Sequence, residues 1–449
     1  MNLKNIYNSL ETLKQGSRSV FYDSLKTALK SCLVLEFTQG NERPCQEEDF
    51  SDFRKENESN LFYLKLIFED LIRCEYFKQH APHLKQIKNL SKDSYVPGID
   101  DEILALIFIV CGENVVMSPW NTTCTVENAY DIIGMVLKLY KCKNMPEILV
   151  SRSLFKDILI NLRPRLLPAT WKHYPASVVC YQWIIKYVEQ PHLSPFLHLV
   201  LPTALILVDD FVTDNRIIGI SCLHHVIDNV TIAELKYYGH GDVIYNALES
   251  LLRSRESEIV KIALPCIICL VSKLETNFGE KEVKWSKFDD VLSIYLENME
   301  LEHLIILREI YIQNLPHLIK SSGLRIIRWS RKLLKIFKEY LEVACNHSDV
   351  ETMNYCLRGL EIYLQNSQPV MSLYSNFILF MLLKTLYSLL NMTESTIQKR
   401  NKELIIQCSS VIFDQFPLEE KEKLKRDLFE KMGDLNHSKF FTVLSSLIC

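Results

Sequence analysis

FLHLVLPTALILVDDFVTDNRIIGISCLHHVIDNV, residues 196–230, reads as a helix, a polar turn at Asp209–Asp214 and a second helix. The stretch VIYNALESLLRSRESEIVKIALPCIICLVSKL, residues 243–274, repeats that layout. Ala204-Leu205 falls on Ala247-Leu248 at a shift of 43, and Gly219 falls on Ala263 at 44, the difference being one residue in the turn. Two helices per unit at a period of roughly 40–47 residues is the sequence signature of HEAT-type repeats. More degenerate helix pairs follow at about 287–318, 324–365 and 374–416. The expected fold class is all-α, an α-solenoid of HEAT/armadillo-like helical repeats.

Composition agrees with that reading. The 449 residues include only 12 Gly and 15 Pro, below average usages of about 7% and 5%. Tight hairpins and phosphate-cradling loops both draw on glycine, so sheet folds and Gly-rich nucleotide folds are disfavoured. With 48% apolar and 24% charged residues the chain is foldable and globular. A net charge of -4 gives no global attraction for nucleic acid or anionic membrane. The 14 Cys are scattered over apolar helical positions such as Cys180, Cys222, Cys266 and Cys356, as buried free thiols are. The opening MNLKNIYNSLETLK has no apolar core of signal-peptide length. A reducing compartment is therefore expected, the cytoplasm, with the nucleus open. The longest apolar runs, 196–208 and 378–390, are broken by His and Pro or by Lys and fall short of the ~18 residues a span needs. No membrane segment is expected.

The N-terminal part is organised differently. Residues 1–36 have helical spacing, QGNERPCQEEDFSDFRKENES (39–59) reads as a flexible acidic loop, and helical spacing resumes at 61–74. A Pro-Gly turn in 89–101 suggests a boundary, giving an N-terminal helical region over 1–95 and a repeat solenoid over 96–449.

Within the first helix pair, Pro202 can bend its helix, Asp209 and Asp210 close it, and Thr213 or Asp214 can cap the next. Arg216 opens the second helix, where a turn Asp and an Arg can form a polar ladder between repeats. Gly219, Leu223, Val226 and Val230 form its core face, with Ile217, Ser221, His224 and Asp228 opposite. Gly134, Gly219 and Gly359 all fall inside helical patterns, where glycine costs about 1 kcal/mol relative to Ala. They are expected to mark close helix approach.

No catalytic constellation emerges. Asp209 and Asp210 diverge at a helix end, and no general acid faces them. Cys222 and His225 share a face but have no orienting third group, so packing is the better reading. His224 and His225 point to different sides of one helix. His80 and His83 lack further ligands, and Cys266 and Cys269 lie in an aliphatic helix without a second pair. No cofactor and no metal are expected. The charge pattern with most to say is KSSGLRIIRWSRKLLKIFK (320–338), which carries Arg325, Arg328, Arg331, Lys332, Lys335 and Lys338 without an acid. Ile326, Trp329, Leu333 and Phe337 supply the apolar side of that helix. Its basic face is either solvated or a docking face for an acidic protein partner; nucleic acid is disfavoured by the acidic chain.

The stretch TWKHYPASVVCYQWIIKYVEQPHLSPFLHLVLPTALILVDDFVTDNRIIGISCLHHVIDNV (170–230) resembles the characteristic segment of the Tel-two-interacting protein two family. Trp171, Pro175, Trp183, Leu201-Pro202, Asp209-Asp210, Asn215-Arg216, Gly219, Cys222-Leu223 and His224-His225 carry the resemblance, with Phe211 where Tyr is expected. That resemblance implies a non-enzymatic adaptor of the triple-T co-chaperone complex. It would bind Tti-one directly and join Tel-two. Through them it would support maturation of phosphatidylinositol-3-kinase-related kinases with the ninety-kilodalton heat-shock chaperone. The alternative is another solenoid scaffold, of nuclear-transport or phosphatase type.

Overall fold

A computed structural model of the chain describes residues 3–8, 18–40, 42–73, 100–275, 284–392 and 395–414, with 422 and 426. Nineteen α-helices and no strand occur among the described residues. The chain divides into two compact units, Met1–Glu234 and Leu235–Cys449. The boundary expected near residue 95, and His80 and His83, lie outside the described residues.

The first unit contains α1 (Leu3–Asn8), α2 (Arg18–Ser31), α3 (Ser51–Arg73), α4 (Asp101–Gly112), α5 (Thr123–Leu139), α6 (Met145–Ser151), α7 (Leu154–Leu162), α8 (Pro175–Ile185), α9 (Leu197–Val208) and α10 (Thr213–Asn229). At its centre is α4, in which every residue from Ile103 to Gly112 is buried. A helix apolar on all sides has to be enclosed, and α2, α5, α7 and α8 enclose it. Proline opens α8, where a missing N–H costs nothing. The helix α9 continues through Pro202, which lies on its exposed side.

The pairing of α9 with α10 depends on one absent side chain. A Cβ on Gly219 would lie 2.6 Å from the Val208 amide nitrogen and 2.8 Å from the Ala204 carbonyl oxygen. Backbone lies against backbone there, so only glycine fits. Leu223, Val226 and Val230 are buried on the same face, while Ile217, Ser221 and His224 are half-buried and Asp228 is exposed. Gly134 is different: a Cβ added there meets nothing within 4 Å. The close approach expected at Gly134 is not made, because its side of α5 opens outward.

After α11 (Ile232–Tyr237), the second unit contains α12 (His240–Leu251), α13 (Ser257–Leu274), α14 (Lys287–Leu301), α15 (Ile305–Ser322), α16 (Ser330–His347), α17 (Val350–Asn366), α18 (Met371–Leu390) and α19 (Thr396–Phe413). Two rows result. In one, α14, α16 and α18 stack in order, and in the other α13, α15, α17 and α19 do, with α12 against α13 and α16 against α17. Each pair is an antiparallel hairpin that buries its apolar face on its neighbours, as solenoid repeats do. The starts of α12 and α13 follow those of α9 and α10 by 43 (197 to 240) and 44 (213 to 257), the shifts the sequence shows.

Three expectations are corrected. The acidic stretch 39–59 is not a loop through its length: a 3-10 turn at Glu47–Phe50 runs into the 23-residue α3. Phe50, Phe53 and Asn57 are buried, so this half of the segment is amphipathic, its acids facing water. The basic run 320–338 is not one helix. Gly323, at φ +54°, ends α15 at Ser322, a 3-10 turn spans Gly323–Trp329, and α16 starts at Ser330. Finally, one segment, Gln368–Leu390, is long and apolar enough to cross a membrane by length and composition. Its Met371–Leu390 helix packs one face against α16 and α19. The single Lys384 interrupts the composition without shortening the helix.

Candidate protein-docking groove

Residues of the family-like stretch meet others from the N-terminal part around one groove of about 290 Å³ in the first unit. Trp171, Lys172, Pro175, Asp210, Phe211 and Asn215 line it from one side, and Phe37, Arg43, Cys45 and Trp120 from the other.

The floor is organised by Asp210, whose side chain is only 2% exposed. Its Oδ1 accepts the Lys172 ammonium at 2.8 Å, and its Oδ2 accepts Asn215 Nδ2 at 2.7 Å and the Val212 amide at 3.4 Å. Burial pushes the Asp210 carboxyl up, but the hydrogen bonds from Asn215 and Lys172 outweigh it and hold the group below the usual range. The N-cap of α10 is Val212, with Thr213 and Asp214 already inside the helix. Neither caps it; Asp210, two residues earlier, takes the Val212 amide. The polar link to the preceding helix pair runs through Lys172.

Lys172 Nζ also lies 4.3 Å from the Phe211 ring centroid and 5.4 Å from that of Trp171. Trp171 is buried, whereas Phe211 is 72% exposed. An aromatic ring held in water by a fixed cation is a preformed contact group.

The far wall is held by backbone pairing. The Phe37 amide donates to the His173 carbonyl at 2.8 Å, and His173 Nδ1 bonds the Phe37 carbonyl at 2.9 Å. A Cβ on Gly40 would come within 2.0 Å of the Lys172 carbonyl oxygen, so this segment is pressed directly onto the Trp171–His173 turn. Behind it Val34, Phe37, Phe50, Phe53, Trp120 and Ala176 form one cluster. Arg43 makes a fork to Asp49 at 2.8 and 2.6 Å and covers the Phe37 ring. The Asp49 carboxyl is thereby lowered to about 2. Beneath the cluster, the buried Glu113 carboxylate accepts the Val34 amide and Ser177 Oγ, each at 2.9 Å, and Arg165 at 3.1 Å. Burial pushes the Glu113 carboxyl up, with Arg165 and the donors pulling the other way.

The remaining family-like residues are internal or peripheral. Gly219, Cys222 and Leu223 are core, and Trp183 packs against Gly112 and Tyr187. Arg216 lies in the first turn of α10, Asp209 is exposed, and His224 reaches Asp228 at 3.8 Å. The Cys222 thiol is pushed up to about 12 by burial, and His225 Nε2 bonds the Val188 carbonyl at 2.9 Å. The two do not form a thiolate–imidazole pair. Asp209 and Asp210 diverge, one to water and one inward.

In the second unit the basic run is largely engaged by its own unit. Arg328 pairs with buried Asp289 at 2.8 Å, which also accepts Trp329 Nε1 at 3.0 Å. Lys332 and Lys335 both reach Glu300, and Arg325 covers Phe288. Arg331 is exposed, and Lys338 stands over the Phe377 ring.

These features define a class, an all-α HEAT-type helical solenoid with surface grooves. Importin beta shares the fold at a TM-score of 0.53 and 12% identity, over 99% of this chain and 49% of that one. Kap95p does so at 0.54 and 12%, over 99% and 48%. At that identity the fold alone is shared. No family-level sequence profile matches. Sequence relatives are closer. TELO2-interacting protein 2 of rat (Rattus norvegicus) is 32% identical over 259 residues, 56% of this chain and 50% of the relative. The human (Homo sapiens) protein is 30% identical over 262 residues, 57% and 51%. The chain spans about half the length of the curated relatives it matches, and over the matched part it is similar to TELO2-interacting protein 2.

Proposed function

We infer that the chain is a non-enzymatic adaptor that holds other helical proteins in a co-chaperone assembly. The observation that carries this reading is its 30–32% identity to three proteins named for interaction with TELO2. A Tel-two-type protein is then one partner. The Tti-one solenoid is the direct one, and the complex serves the stability of phosphatidylinositol-3-kinase-related kinases with the ninety-kilodalton heat-shock system. The cytoplasm, with the nucleus open, is the matching location. In support, the groove offers Phe211 and Pro175 over a neutralised polar floor. An exposed aromatic that a partner can bury is where binding energy concentrates in protein interfaces.

A karyopherin-like or phosphatase-type adaptor has the same architecture, so partner identity decides. Affinity purification of the tagged full chain is expected to recover Tel-two-type and Tti-one-type proteins. Recovery of Ran-type GTPases or phosphatase subunits in their place contradicts the reading. Depletion of the protein is expected to lower steady-state levels of the large kinases; unchanged levels count against the maturation role.

A further inference from the structure

The second unit carries an apolar surface of its own. Along α18, Leu373, Phe377, Phe380 and Tyr387 are 77%, 39%, 66% and 38% exposed. Their spacing, i, i+4, i+7 and i+14, places them on one stripe of the helix. Beside the stripe a groove of about 160 Å³ runs between α16 and α18, floored by Leu341 and Met381. Contiguous apolar patches of this kind on a folded surface mark binding sites.

The charges say what fits. Lys384 is the only ionisable charge in α18, and from Ser330 to Lys338 α16 carries Arg331, Lys332, Lys335 and Lys338 with no acid. Lys332 and Lys335 are taken by Glu300 on the α14 side. Lys338 instead faces the groove, 5.9 Å from the Phe377 ring centroid. Lys384 reaches Glu342 at 2.8 Å, but both side chains are well exposed, at 53% and 38%. A surface pair of that kind contributes little and exchanges readily. The groove is thus mixed: Leu341, Phe377, Phe380 and Met381 supply apolar surface, and Lys338, Lys384 and Glu342 place charge on its walls.

We propose that the α16–α18 groove receives an amphipathic helix of a partner protein whose apolar side chains meet Leu373, Phe377 and Phe380 and whose carboxylates meet Lys338 and Lys384. Apolar helix-in-groove docking supplies the affinity, and the two lysines select an acidic flank over a basic one. Lys384 exchanges Glu342 for the incoming carboxylate. The surface is tested separately from the Phe211 groove, and either can fail without the other.

The test uses the purified full chain and two fluorescein-labelled synthetic helical peptides sharing one Leu/Phe face, one flanked by Glu and one by Lys, read by anisotropy. The Glu peptide is expected to bind saturably and the Lys peptide about tenfold or more weaker. Phe380→Asp should weaken the Glu peptide by about tenfold or more, and Lys338→Glu with Lys384→Glu should reverse the preference. Phe380 and Lys384 are exposed and Lys338 is half-buried, so no variant touches the core and their thermal melts should match the parent. Equal binding of the two peptides, or Glu-peptide binding indifferent to Phe380→Asp, overturns the proposal. It is also overturned if Phe380→Asp instead abolishes binding to phosphatidylserine-containing vesicles, or abolishes self-association in light scattering, while neither peptide binds.

Discussion

Two glycines in similar helical settings make opposite predictions. At Gly219 an added methyl meets the backbone of α9, which cannot move without separating the pair. Gly219→Ala is expected to destabilise the first unit by about 1–3 kcal/mol, and Gly219→Leu by more. At Gly134 the methyl enters open space, so Gly134→Ala should stabilise by about 0.5–1 kcal/mol through helix propensity alone. Denaturant midpoints of the two Ala variants, moving in opposite directions, check both. Asp210 makes a pH-dependent claim. Its folded pKa is depressed, so its contribution is fully present above the unfolded value of about 3.9 and is lost as pH falls through the folded value. The melting temperature of Asp210→Asn should lie below that of the parent near pH ~6, and the gap should narrow as pH falls below the unfolded value of about 3.9. A gap independent of pH would mean that the carboxylate is not the stabilising form. Thiol chemistry gives a third check. Burial raises the thiols of Cys32, Cys222 and Cys408 to about 12, while Cys124 is exposed. Iodoacetamide on the native protein should mark Cys124 and spare those three until the chain unfolds.

At the scale of elements, α3 shows where pattern reading succeeds and fails. Helical spacing after residue 61 and the paired helices from 196 onward were legible, because a 3.6-residue apolar period survives in the sequence whatever the helix packs against. The first half of α3 was hidden. Its acids dominate the composition, and its few anchors, Phe53 and Asn57 with Phe50 in the turn before them, acquire meaning only through partners far along the chain. Asn57 Nδ2 donates to Asn114 Oδ1 at 2.8 Å and to the Trp120 carbonyl at 3.2 Å. No local signal carries such contacts. The same holds for the groove. Trp171, Pro175, Asp210 and Asn215 stand out as a motif, but Phe37, Trp120 and Glu113 do not, since pairing across 52 to 136 residues leaves no spacing to read. The basic run fails in a different way: Arg325, Arg328, Lys332 and Lys335 are spaced by three or four as on one helix, but Gly323–Trp329 is a 3-10 turn and α16 starts only at Ser330. Phe53→Ala should therefore cost about 3–5 kcal/mol and lower the cooperative unfolding of the first unit. If α3 were loosely attached, the melt would not move.

For the whole molecule, the chain divides into two compact units built of stacked helix pairs, as solenoid repeats are. The groove walled by the 37–45 segment and the 209–215 turn combines the residues that resemble a family with residues that no pattern disclosed. Its exposed Phe211, fixed by Lys172, is the contact group whose loss should matter most without unfolding the chain. The most direct measurement is quantitative co-purification of the full chain, parent against Phe211→Glu, with co-expressed Tti-one-type and Tel-two-type proteins. The parent is predicted to retain both, and the variant to lose them by about tenfold or more at unchanged melting temperature. Full retention by the variant, or no retention by the parent, would contradict the account.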